Sequence, residues 1–142
     1  MSGVFQRILV PVDFTAAGEP ALRVALALAA QNGAAVTLLH VIEDVEISAD
    51  QELRDFYEML EAKARRELEA LARRCTDEGA AVETVIEYGR RAGQIVHFAE
   101  DNQIDLIVLS SHKVNLDQMT GGWGTLSHQV SVFCQCPVLL VK

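Results

Sequence analysis

At 142 residues the chain has room for one domain, since domains run to roughly 100 to 200 residues. Half of those residues are hydrophobic, enough for a core that needs neither disulfides nor a metal, which sets intrinsic disorder aside. Twelve Lys and Arg against twenty Asp and Glu leave a net charge of −8 with no basic patch, which argues against nucleic-acid phosphates and anionic lipid as partners.

The opening segment, residues 1–6, lacks the basic start and apolar stretch of a signal peptide. Apolar runs such as residues 24–30 fall far short of the ~20 residues that span a bilayer. Three cysteines, an odd number, fit a reducing compartment. The expectation is a cytoplasmic protein without membrane insertion.

Arg7 to Val12 (RILVPV) is a continuous aliphatic run of the kind buried on both faces of a parallel sheet, and Asp13 ends it. Pro20 suits the first turn of a helix over Ala21 to Gln31, which Asn32 and Gly33 stop. Ala35 to Ile42 (AVTLLHVI) repeats the strand pattern, and Ser48 with Gln51 three residues on reads as a capping box. A long helix follows from Asp50 to about Glu78, its apolar stripe drawn by Leu53, Tyr57, Leu60, Ala64, Leu68 and Leu71. Gly79 closes it. Ala81 to Tyr88 is a third strand, Ala92 to Asn102 a helix, and Asp105 to Ser110 (DLIVLS) a fourth strand. Ser111 to Gly122 is polar and irregular; Leu126, Val130 and Phe133 mark a last helix, and Pro137 to Val141 (PVLLV) a fifth strand. Strands and helices that alternate in this way form a parallel sheet with helices on both faces, joined by right-handed crossovers. Ligands of such sheets sit beyond the carboxyl ends of the strands, where Asp13, Val41 and the segment from Ser110 to Thr125 fall.

That segment carries the most chemistry. Glycines directly before a helix let backbone N–H groups approach an anion, and the helix N-terminus adds about half a positive charge, so Gly124 and Thr125 suit a phosphate; the plainer alternative is a loop with Thr125 as N-cap. Neither G-x-x-x-x-G-K-[ST] nor G-x-G-x-x-G is present. Asp13 suits an adenine amino group or a ribose hydroxyl, and equally the cap of the following turn. His40, inside an apolar strand, reads as a satisfied core histidine and His97 as structural, whereas His112 lies on the ligand side and can donate to a phosphate. Arg90 and Arg91 either meet an anion or solvate a helix start. Trp123 either stacks on a base or covers the mouth of the site. Cys134 and Cys136, one residue apart, match no common zinc or redox spacing, and with His128 they do not make a zinc motif, so no metal is expected. No G-x-S-x-G elbow presents a nucleophilic serine.

RILVPVDF at the start, TLLHVI in the second strand, DLIVLSSH in the fourth and CPVLLVK at the end together resemble the universal stress protein family, in order and spacing along the whole chain. The resemblance implies a single domain over residues 1–142 with a Rossmann-like, adenine nucleotide alpha hydrolase-like fold. Its parallel sheet would have five strands in the order 3-2-1-4-5, and a homodimer would often form through the last strand. Nucleotide-binding members carry G-x-x-G, about nine residues, then G-[ST] after the fourth strand and cradle ATP there with close backbone approach. By that resemblance Asp13 and Val41 contact adenine or ribose, while Ser110, His112, Gly124 and Thr125 face phosphates. This chain departs from the pattern. Ser110 stands at the first glycine, the second is missing or replaced by Lys113, the loop is longer, and only Gly124 and Thr125 keep the closing pair.

The expected function is a non-catalytic stress-response or regulatory module with a degenerate cleft that binds ATP weakly or not at all. The alternatives are slow ATP hydrolysis, for which Asp117 is the nearby carboxylate, and a purely structural role toward an unidentified protein partner.

Overall fold

The computed structural model describes residues 3–43, 50–111 and 125–142. Strands and helices alternate as β1 (Arg7–Pro11), α1 (Glu19–Asn32), β2 (Ala35–Ile42), α2 (Gln51–Asp77), β3 (Ala81–Tyr88), α3 (Arg91–Asp101), β4 (Leu106–Ser110), α4 (Leu126–Phe133) and β5 (Val138–Val141). A 3-10 turn, Ala16–Gly18, leads into α1. The five strands form one sheet in the order β3-β2-β1-β4-β5, and every pairing is parallel. The expected order therefore holds.

Successive strand residues point to opposite faces, and both faces are covered. Ile8, Val10, Val36, Leu38, Leu106 and Val108 face α1 and α2, where they meet Leu22, Ala25, Leu68 and Cys75. Leu9, Leu39, Val41, Ile107 and Leu109 face α3 and α4, against Ile95, Ala99 and Val130. That is why the central strands carry no polar alternation. The start of β1 is tied to the start of β4 by the Asp105 carboxylate, which accepts from the N–H groups of Gln6 (2.8 Å) and Arg7 (3.0 Å).

Local chemistry sets the helix ends. Pro20 lies in the first turn of α1, and Gly33 caps its end at φ 66°, a left-handed conformation that costs a residue with a side chain about 1 kcal/mol or more. One cap corrects the sequence reading. Helix α2 is capped by Asp50, whose side chain accepts from the N–H of Glu52 at 3.0 Å; Ser48, the expected cap, lies outside the described residues. In α4, Leu126, Val130 and Phe133 fall on the expected helix; Leu126 and Val130 pack on the core, while Phe133 is 66% exposed at its end and lines the large cleft. No helix among the described residues is long and apolar enough to cross a membrane.

Candidate functional site

Parallel strands bring their carboxyl ends to one edge of the sheet, and the first crossover begins there. At the end of β1 the chain turns sharply: the Asp13 Oδ1 accepts from the N–H of Thr15 (3.0 Å) and from its hydroxyl (2.7 Å), an Asx turn. Both bonds use one oxygen, so the other retains acceptor capacity. Partial burial pushes the Asp13 carboxyl up, but the Thr15 hydroxyl and N–H, helped by the Arg91 charge, outweigh it, and the group titrates below its ordinary value.

Phe14 follows at φ 64°, unusual for a residue with a side chain, and its ring lies against the His40 imidazole with centroids 4.5 Å apart. His40 Nδ1 donates to the Val12 carbonyl at 2.8 Å. The histidine read as a satisfied core residue is thus what holds the turn that presents Asp13. Sequence reasoning found its environment but not its task, since its partner lies 28 residues away.

One small cavity, about 50 Å³, is lined by Val12, Asp13, Val41, Arg91, Ser110 and Leu126 among others. Three expected residues, Asp13, Val41 and Ser110, therefore meet in one place, and Thr125 is next to its wall. The Thr125 hydroxyl accepts from the N–H of His128 at 3.3 Å, so the N-cap alternative describes its bonding, while its own O–H proton stays available to donate. Val41 is buried, 4% exposed, with its side chain committed to the core. His112 and Gly124, together with Lys113, Asp117 and Trp123, lie outside the described residues.

A larger cleft of about 750 Å³ adjoins the small one and shares Arg91 and Leu126 with it; Glu43, Arg90, His97, Gln129 and Phe133 line the remainder. The two arginines that the sequence could not separate have different places. Arg90 is the exposed N-cap of α3, without a side-chain capping bond, whereas Arg91 is half-buried between both cavities. Arg91 is the site residue whose position only the fold reveals; the signal in sequence was the basic pair Arg90 and Arg91 after Gly89, which turns out of β3 at φ 136° and does not say which of the two faces the cleft.

Comparison with known proteins places this geometry among relatives. The universal stress protein family model matches residues 5–142. Universal stress protein MJ0577 of Methanocaldococcus jannaschii is 29% identical over 160 aligned positions that cover all of this chain and 98% of that protein. The solved structure of MJ0577 superposes with a TM-score of 0.82 at 32% identity, covering 99% of this chain and 97% of that one. UspA from Lactobacillus plantarum gives 0.79 at 26%, covering 99% and 100%. A universal stress protein in complex with cAMP (TM-score 0.74, 19% identity, 99% and 98% covered) and one from Archaeoglobus fulgidus in complex with dAMP (0.70, 22%, 99% and 100%) share the fold. The parallel sheet in the order 3-2-1-4-5, its clefts at the strand ends and the family match over residues 5–142 lead to one conclusion: this chain belongs to the universal stress protein family.

Proposed function

We propose that the chain is a non-catalytic, cytoplasmic stress-response module that senses adenine nucleotides weakly through the cleft at Asp13, Val41 and Ser110 and works as a homodimer. The observation that carries this reading is the convergence of those three residues, with Arg91 and the α4 cap, at the carboxyl end of the sheet. Asp13 offers an acceptor to a ribose hydroxyl or an adenine amino group. The Val41 side chain is buried, so its backbone is what it offers a base. Arg91, the Thr125 hydroxyl and the N-terminus of α4 favour the negative charge of a phosphate. That related folds hold cAMP and dAMP supports an adenine nucleotide as the ligand class.

Two features support weak binding. Replacing glycine by Ser110 and Lys113 removes close backbone approach to the phosphates, and losing two charge-assisted hydrogen bonds of about 1.5 to 3 kcal/mol each lowers affinity by roughly two to four orders of magnitude. The small cavity of about 50 Å³ at Asp13 is also far below the several hundred Å³ of a ligand pocket, so the part of the cleft that Asp13, Val41 and Ser110 line encloses little of a nucleoside. His112, Gly124 and Thr125 remain the proposed phosphate-side residues.

Purified protein analysed by mass spectrometry for retained nucleotide, followed by a phosphate-release assay with ATP and magnesium, tests this reading. The expected result is substoichiometric nucleotide and no sustained release. Stoichiometric retained ATP contradicts the degenerate cleft, and sustained turnover abolished by Asp117→Ala contradicts the non-catalytic role.

A further inference from the structure

Cys134 and Cys136 have no part in the nucleotide reading, and their one-residue spacing fits no standard template, yet the fold puts their sulfurs in contact. Helix α4 ends at Phe133, Cys134 takes an extended conformation (φ −78°, ψ 141°), and the chain bends through Gln135 and Cys136 before Pro137 leads into β5. The bend brings the two Sγ atoms to 3.4 Å. Both residues are half-buried and pack on the α3/α4 side of the core, which anchors the pair. A surface groove of about 230 Å³ lined by Ala99, Glu100, Gln103, Ile104 and the two cysteines gives solvent access to them. Cys75, the third cysteine, is fully buried.

We propose that Cys134 and Cys136 are a thiol–disulfide couple, which closes to an intrachain disulfide by exchange with a small-molecule disulfide and reopens with a dithiol reductant. Closing the pair shortens the sulfur separation from 3.4 Å to about 2.05 Å, a movement within reach of side-chain rotation. Among the described residues no group of three or more His, Cys, Asp or Glu is arranged to hold a metal ion, so the pair is not part of a closed zinc site there.

The exchange proceeds in two steps. Burial, then the hydrogen bond to Cys134 and the charge of Cys134, push the Cys136 thiol up, which favours Cys134 as the first sulfur to attack. The Cys134 thiolate bonds to one sulfur of the oxidant, the oxidant S–S bond breaks, and one thiolate leaves and takes a proton from solvent. The charge on Cys134 is then gone, and the hydrogen bond it supported with it, so Cys136 loses its proton to solvent more readily. It attacks Cys134 Sγ and expels the second thiolate. The protein has lost two protons and two electrons; the oxidant disulfide has become two thiols. A partly exposed disulfide closing a one-residue loop belongs to the labile, reversible class. The bond would join the end of α4, whose other end is capped by Thr125, to the start of the edge strand β5.

The test uses the full chain, reduced and then equilibrated with graded ratios of bis(2-hydroxyethyl) disulfide to 2-mercaptoethanol. A neutral disulfide is chosen because Glu100 in the groove and the Asp105 charge felt by Cys136 disfavour an anionic one. After acid quench, denaturation and alkylation, intact and peptide masses are read. The expected result is a change from three alkylated thiols to one, Cys75, with loss of two hydrogens, no retained mercaptoethanol and full reversal by dithiothreitol. The Cys136→Ser variant is expected to stop at a mixed disulfide on Cys134. Three labelled thiols throughout, a wild-type chain that retains a mercaptoethanol adduct, or a disulfide between two chains overturns the proposal, and the wild-type masses alone decide it if a variant fails to fold.

Discussion

Asp13 caps the turn after β1 and lines the cavity at the sheet edge. The alternatives left open by the sequence, a ligand contact or a turn cap, are not exclusive, because the Asx turn with Thr15 fixes the carboxylate at the rim of the cavity. Burial raises its pKa, but Thr15 and Arg91 lower it more, so the net shift is downward from 3.8. A depressed carboxylate adds stability that is fully present above the unfolded value and disappears as pH falls through the folded one. Asp13→Asn is therefore expected to unfold at lower urea concentration than the parent at pH 7, with the gap closing as the pH falls below 3.8. An equal gap at both pH values would show that the charge of Asp13 contributes nothing. Other residues were less legible. His40 was readable as a core histidine from its apolar flanks, but its bond to the Val12 carbonyl crosses from β2 to the end of β1, and no local pattern carries that. The sulfur contact of Cys134 and Cys136 depends on a bend that spacing does not encode.

Among the elements, α2 is the most readable and the most unevenly used. Its 27 residues span about 40 Å, whereas the eight residues of β3 beside it span about 26 Å. The stripe read from the sequence does turn inward, unevenly: Leu53, Tyr57 and Leu60 are half-buried, Ala64 and Leu68 are buried, and Leu71 is half-buried against the core, with Cys75 buried one turn beyond it. Phe56 and Met59 stand 48% and 62% exposed. Leu68→Ala is expected to cost about 2 to 5 kcal/mol in chemical unfolding and Phe56→Ala under about 1 kcal/mol. Similar losses at both would mean that the first half of α2 is packed as tightly as the second. Periodicity read these elements well because both strand faces and one helix face must be apolar, and the observed ends differ by a residue or two where caps decide them. It placed Phe133 on the last helix but does not report burial, and that ring is 66% exposed.

For the whole molecule, alternating strands and helices dictate a parallel sheet but not the order of its strands, which depends on which way each crossover runs. That order came from the resemblance, and the structure bears it out. An order with β5 at one edge leaves that strand paired on one side, to β4, with Leu139 38% exposed and Val132 and Phe133 exposed on the preceding helix. Dimerisation through β5 would cover this edge. Leu139→Lys is expected to shift light scattering from dimer to monomer at micromolar concentration, with Val141 left in place because it packs on the core. A parent protein that is already monomeric contradicts the dimer.

The central claim is a cleft that keeps its base and ribose side and has lost much of its hold on the outer phosphates. Isothermal titration calorimetry of the purified protein with AMP and with ATP tests it most directly. The two nucleotides are expected to bind within about threefold of each other, a difference under about 0.7 kcal/mol, both weaker than micromolar and both weakened further by Asp13→Ala. Submicromolar binding of ATP with a large preference over AMP would contradict it.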